Sequence, residues 1–151
     1  MLYLDGATYK SKSFLSGGGV GRNIAEGLYK LHGGVHLISA IGNDESGNSL
    51  NSYLPKTATA GVIRDPNNAT SICAVICDKL GDCKLVLGDM KIHGSITPEL
   101  VMENELTMST APLIVMDANV EVNTMEAVLG LARKYNKPGK YHKRYLQALH
   151  E

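Results

Sequence analysis

The residues best suited to chemistry lie near the N-terminus, in Gly17-Gly18-Gly19-Val20-Gly21-Arg22-Asn23-Ile24-Ala25. Glycines ahead of a helix let backbone amides approach a ligand closely, and the helix N-terminus behind them favours oxygen-rich or anionic groups. A dinucleotide fingerprint does not fit: counted from Gly17 or Gly19, its third glycine falls on Arg22 or Ile24. A Walker A loop does not fit either, because no Gly-Lys-Ser/Thr follows. Further along, Asp117 and Asn119 end an apolar run, where parallel sheets place their ligands. Asn119 suits a plain strand-end cap equally well, and Asp117 and Asp89 read as structural rather than catalytic. Cys73, Cys77 and Cys83 form no Cys-x-x-Cys pair and the five histidines are scattered, so no metal site is expected. The odd cysteine count points to free thiols in a reducing compartment.

These residues must be positioned by alternating strands and helices. Ile24, Leu28 and Leu31 recur at i, i+4, i+7, which predicts a helix with that face buried, stopped by Gly33 and Gly34. Residues 35–41 form a mostly apolar run that suits a buried strand. Gly42-Asn43-Asp44-Glu45-Ser46-Gly47 is a turn rich in capping residues, with a short helix expected around 50–54 before Pro55. Strands are expected over 61–64, 70–77 and 83–87, a β-meander whose 78–82 loop lets Gly81 take the left-handed position. Thr97-Pro98-Glu99 is a helix start, with a threonine cap and proline in the first turn. Residues 113–116 suit a buried strand, and the next helix carries Met125, Val128, Leu129 and Ala132 on one face. Strands alternating with helices imply a mainly parallel sheet between helical layers.

The bulk properties narrow the function. The 151 residues are 44% hydrophobic and 20% charged, as in a soluble globular domain able to bury a core. A formal net charge of zero gives no electrostatic reason to expect nucleic acid or a membrane as partner. No stretch approaches the ~20 apolar residues needed to cross a bilayer, and the opening lacks the pattern of a secretory signal. A cytoplasmic location is expected, with organellar import open if the true N-terminus lies upstream. The basic run Arg133, Lys134, Lys137, Lys140, Lys143, Arg144 reads as a solvated helix end and tail, since cations favour helix C-termini.

One spacing carries a resemblance. Gly18-Gly19-Val20-Gly21-Arg22-Asn23-Ile24-Ala25, then Leu28, Leu31 and Gly33, then Ile38 and the 42–47 turn, resembles the first signature of the ribokinase-type PfkB carbohydrate kinases. In that family the segment reads like GGxGxNxAxxLxxLG, followed by a strand and GDDxxG. Here His32 stands where glycine is usual and Asn43 replaces the first aspartate. Within the family the chain looks most similar to pseudouridine kinases, through residues 19–26, Thr70-Ser71, Asp89-Met90, Ile96-Thr97-Pro98-Glu99 and Val115-Met116-Asp117-Ala118-Asn119. Gly88 stands where a polar residue is expected beside Asp89. Ribokinase and adenosine kinase are less similar in these stretches.

The resemblance implies an α/β fold: a ribokinase-like three-layer αβα sandwich, partial here, with a small β-meander lid. It places a partial kinase domain over 1–138, lid strands within about 60–90, and a divergent basic tail over 139–151. It implies sugar binding by Gly18, Gly19 and Asn23, with Thr70 and Ser71 from the lid and Asn119 from the strand end. The implied reaction is ATP- and Mg-dependent phosphorylation of a ribosyl 5′-hydroxyl, with pseudouridine as first choice and a ribokinase- or adenosine-kinase-like activity as alternative. The family's catalytic Asp-Thr-x-Gly-Ala-Gly-Asp-like segment does not occur in this sequence, so no catalytic residue is assigned and neither ATP nor Mg is expected on this chain. The expectation is therefore a truncated piece of a kinase. The non-enzymatic alternative is a substrate-binding remnant that dimerises through its lid, and a homodimer by that route is the protein partner implied.

Overall fold

A computed structural model describes residues 8–141; residues 1–7 and 142–151, with Lys143 and Arg144 of the expected tail, lie outside the described residues. Helix α1 (Val20–His32) begins directly behind the glycine run. It stops where Gly33 turns left-handed (φ 74°) and its N–H reaches Tyr29 O at 2.8 Å, the terminator the sequence announces. Strand β1 (Ile38–Gly42) runs into α2 (Glu45–Asn51), capped by Asp44, whose Oδ1 accepts from Gly47 N at 2.7 Å. The helix starts inside the 42–47 turn rather than at 50–54, because Asp44 satisfies a first-turn amide and so allows it to start there.

Strand β2 (Gly61–Asp65) pairs parallel with β1, from Ile38 opposite Gly61 to Gly42 opposite Asp65. The first strand read between 60 and 90 thus lies in the parallel layer. The projecting unit is the antiparallel hairpin of β3 (Ile72–Cys77) and β4 (Cys83–Asp89), turned by Gly81 at φ 86°. A 3-10 turn, Lys91–Ser95, leads to α3 (Pro98–Glu103), where the Thr97 hydroxyl accepts from Leu100 N at 3.3 Å. Helix α4 (Glu105–Thr110), strand β5 (Ile114–Met116), helix α5 (Val122–Lys134) and strand β6 (Gly139–Tyr141) complete the order. The sequence after Pro138 lacks the apolar run expected of a buried strand, and 139–141 nonetheless pair parallel with β5. Strand pairing runs through backbone groups and does not require an apolar run.

The described residues form two parallel strand pairs and one hairpin, with helices packed on the parallel pairs, rather than one continuous sheet. The larger core joins Val101 of α3, Met108 of α4, Ile114 of β5 and Val128, Leu131 and Ala132 of α5. A second cluster packs Ala25 and Tyr29 of α1 against Leu54, Ala58 and Leu37. Here the structure departs from the periodicity. Ile24 is 38% and Leu31 76% exposed, and α1 docks through the stripe one residue on, where the small Ala25 lets it approach Leu54 closely. Helix α5 follows the expected face more nearly, with Leu131 buried and Leu129 only half-buried.

Candidate functional site

The glycine loop is held by a side chain of the helix it precedes. Arg22 donates from Nε to Gly18 O at 3.0 Å and from Nη2 to Gly17 O at 3.4 Å. Its Nη1 pairs with Glu26 Oε2 at 2.7 Å, one turn along α1, and its guanidinium lies 4.7 Å from the centre of the Tyr53 ring. Glu26 also takes Lys30 at 2.6 Å. The Lys30 and Arg22 hydrogen bonds hold its carboxyl below the usual range. Sequence reasoning gives Arg22 no such task. The available signal is the Arg22, Glu26, Lys30 spacing of i, i+4, i+8, which aligns the three charges on one helix face. Tyr53 closes the other side: a side chain on Gly17 would meet its ring at 2.7 Å.

This bracing decides what the loop presents. In a trans peptide the N–H points opposite to the C=O. With Gly18 O turned to Arg22, the Gly19 N–H points away from it. Gly19 sits at φ 98°, a conformation that side chains rarely adopt, and the space beside Gly18 is open to 4 Å. Asn23 is exposed and its Oδ1 accepts from Arg22 Nη2, so its donor half, Nδ2, is the half available to a ligand.

The opposite wall comes from the end of β5. Asp117 Oδ2 accepts from Gly21 N at 3.3 Å, across 96 residues of sequence. Asn119 Nδ2 bridges the two Asp117 carboxylate oxygens at 3.0 and 3.1 Å, leaving Asn119 Oδ1 as an acceptor. A carboxylate thus stands at the positive end of the α1 dipole. Asn119 also lines an open cleft of about 320 Å³ with Met90, His93, Glu121, Val122 and Met125. A side chain on Gly88 would lie 3.0 Å from the Met90 methyl, so Met90 crowds the space that a polar residue there would use. The structure therefore ties Asn119 to Gly21, at the start of α1 behind Gly18 and Gly19, through Asp117.

Thr70 and Ser71 belong to a different contact set. Thr70 is 4% exposed; its Oγ1 accepts from Gly42 N at 2.9 Å and donates to Asp44 Oδ1 at 2.6 Å, while its N–H donates to Asp44 Oδ2 at 2.7 Å. The two Thr70 bonds to Asp44 and that from Gly47 N keep the Asp44 carboxyl below its ordinary range, the Thr70 hydroxyl contributing most. Ser71 Oγ donates to Asp89 O at 3.0 Å and ties the start of the hairpin to its end. Both residues sit at the foot of the hairpin, just before β3. Lys134 and Tyr135, at the end of α5, hold Glu105 Oε1 at 2.6 and 2.7 Å, which fits the solvated helix end read there.

Comparison with known proteins gives a consistent set. A family model described as pfkB family carbohydrate kinase matches residues 6–150. A pseudouridine kinase from Escherichia coli is 34% identical over 117 residues, covering 74% of this chain and 36% of that protein. A pseudouridine kinase from Arabidopsis thaliana is 29% identical over 136 residues, covering 89% of this chain and 36% of that protein. The chain thus spans about a third of the length of these relatives. Among solved structures, a ribokinase from Giardia lamblia superposes with a TM-score of 0.76 at 17% identity, covering 93% of this chain and 47% of that one. That likeness shows a ribokinase-type fold.

Proposed function

The chain belongs to the pfkB family of carbohydrate kinases, and from that premise we propose that it forms the sugar-binding part of a kinase that phosphorylates a ribosyl 5′-hydroxyl, with pseudouridine as the substrate. The observation that carries this reading is the Asp117 carboxylate fixed by Gly21 N and Asn119 Nδ2 against the glycine loop. Each sugar hydroxyl both donates and accepts, so a site that binds one must offer both roles. Asp117 and Asn119 Oδ1 accept, while Gly19 N–H and Asn23 Nδ2 donate. A carboxylate there repels phosphate, so this helix N-terminus suits the uncharged end of a substrate. The similarity to two pseudouridine kinases supports the choice of nucleoside.

The whole reaction would use ATP and Mg, as the family does. The start of α1 does not suit a phosphate. Asp117 occupies the helix end that would otherwise hold phosphate, and no group of three or more His, Cys, Asp or Glu is placed to hold a metal ion among them. What these residues can do is bind and orient. Arg22 fixes the loop, Asn119 fixes Asp117, and the sugar is held between them with one hydroxyl left for transfer. No helix among the described residues is long and apolar enough to cross a membrane, and cytoplasmic action is part of the proposal.

Thermal melts of the 151-residue chain with pseudouridine, ribose or ATP test the reading. Pseudouridine is expected to raise Tm, ATP to leave it unchanged, and Asp117→Asn to weaken the response. A shift with ATP alone, or equal nucleoside shifts in wild type and Asp117→Asn, would overturn it.

A further inference from the structure

The hairpin of β3 and β4 carries all three cysteines, and its register sets two of them face to face. Ile76 lies opposite Leu85 and Cys77 opposite Cys83, so Lys84 is the extra residue of a bulge and the two thiol positions are direct cross-strand partners. One step nearer the turn, Asp78 N donates to Asp82 O at 2.9 Å. The Cys77–Cys83 pair therefore sits at the neighbouring non-hydrogen-bonded position, where Cα atoms approach to about 4.5 Å. That lies inside the roughly 4.4–6.8 Å range that a disulfide spans. Both residues are exposed with free thiols. Cys83 Sγ makes only a weak contact, 3.9 Å from Leu85 O. Cys73 shares their face but stands opposite Gly88, which has no side chain, and is four residues, about 13 Å of strand, from Cys77.

We propose that Cys77 and Cys83 are a redox modification site, closing into a reversible intrachain disulfide across the mouth of the hairpin when the chain meets a peroxide. One thiolate attacks a peroxide oxygen; the O–O bond breaks, the leaving oxygen is protonated, and a sulfenic acid forms. The opposed thiolate then attacks that sulfur; the S–S bond forms, the S–O bond breaks, and the hydroxide leaves as water. With hydrogen peroxide the balance is two thiols and one peroxide to one disulfide and two waters. A thiol reductant reverses it by exchange, taking the oxidation onto its own sulfur. A two-stranded hairpin with both faces in water is marginal on its own, so a bond across its mouth removes open states and restrains the strands.

The test treats the whole chain with a few equivalents of hydrogen peroxide, then alkylates it under denaturing conditions. The expected result is a loss of about 2 Da before alkylation and a fall in reactive thiols from three to one, both reversed by dithiothreitol. Trypsin cuts after Lys79 and Lys84, so peptide 80–84 with Cys83 should stay linked to peptide 65–79, with Cys73 as the alkylated residue. Cys73→Ser should leave the linkage intact, and Cys77→Ser or Cys83→Ser should abolish it. Three reactive thiols after treatment would overturn the proposal. So would linkage through Cys73, a disulfide-bonded dimer, or gain of about 32 Da as a sulfinic acid at Cys77 or Cys83.

Discussion

Thr70→Val removes one hydroxyl, and almost no volume, from a residue that is 4% exposed. That hydroxyl accepts from Gly42 N at 2.9 Å and donates to Asp44 Oδ1 at 2.6 Å, joining the foot of the hairpin to the end of β1 and the cap of α2. Gly42 is itself buried, so water cannot replace the lost acceptor. An amide left unpaired in this way costs about 1–3 kcal/mol. In a chain of this size that lowers Tm by about 2–12 °C, taking about 2–4 °C for each kcal/mol. Acid adds a second signature. The Thr70 hydroxyl is the largest of the hydrogen bonds that lower the Asp44 pKa. A lowered carboxylate pKa stabilises the fold above the unfolded value and loses that contribution as pH falls through the folded one. Without the hydroxyl the folded value moves back up, so the gap between wild type and variant should be widest at neutral pH and narrow below about pH 4. Urea denaturation followed by circular dichroism at pH 7 and pH 3 reads both effects. A variant as stable as wild type at pH 7 that had lost its nucleoside response would refute the reasoning. Thr70 would then act as a ligand contact, as the sequence resemblance implies, more than as a structural tie.

Four further outcomes are expected. Gly47→Ala should destabilise the chain by about 1–3 kcal/mol or more, because its Cβ would lie 2.6 Å from Gly42 O and 2.8 Å from Thr70 Oγ1; a melt like that of wild type counts against this packing. Asn23→Ala should weaken pseudouridine binding by about 1–3 kcal/mol with little change in Tm, checked by calorimetry, and unchanged affinity would remove Asn23 from the site. Asp65, held by Ser95, Asn68 and Asn67 N, should titrate near 2 by NMR, with Ser95→Ala raising it; its stabilising effect is present above its unfolded value and lost as pH falls toward 2, and a wild-type value near 3.8 contradicts the network. The exposed Ile72, Val75, Val86 and Leu87 of the hairpin should drive the chain to dimers or larger species in light scattering at micromolar concentration; a stable monomer would show that this surface does not associate.

The sequence by itself determined what depends on neighbours along the chain. Gly33 and Gly81 mark left-handed turns because other residues pay a steric penalty there. Thr97 and Pro98 mark a helix start because cap geometry spans only a few residues. The glycine loop with Asn23 was legible as a ligand element for the same reason: its residue types and spacing are local. Tertiary structure decided which surfaces meet. Two apolar stripes are available on α1, and the one carrying Ala25 won because only a small residue lets the helix close on Leu54 and Ala58. Strand β2 joined β1, although its sequence suits a meander equally, because the parallel register is set by backbone pairing across the intervening α2. Thr70 ties the hairpin to β1 and α2 because Asp44, 26 residues earlier, folds back to receive it. Asp117 became part of the site through one hydrogen bond from Gly21, across 96 residues. No period or motif encodes such a contact, because it exists only once both elements have packed.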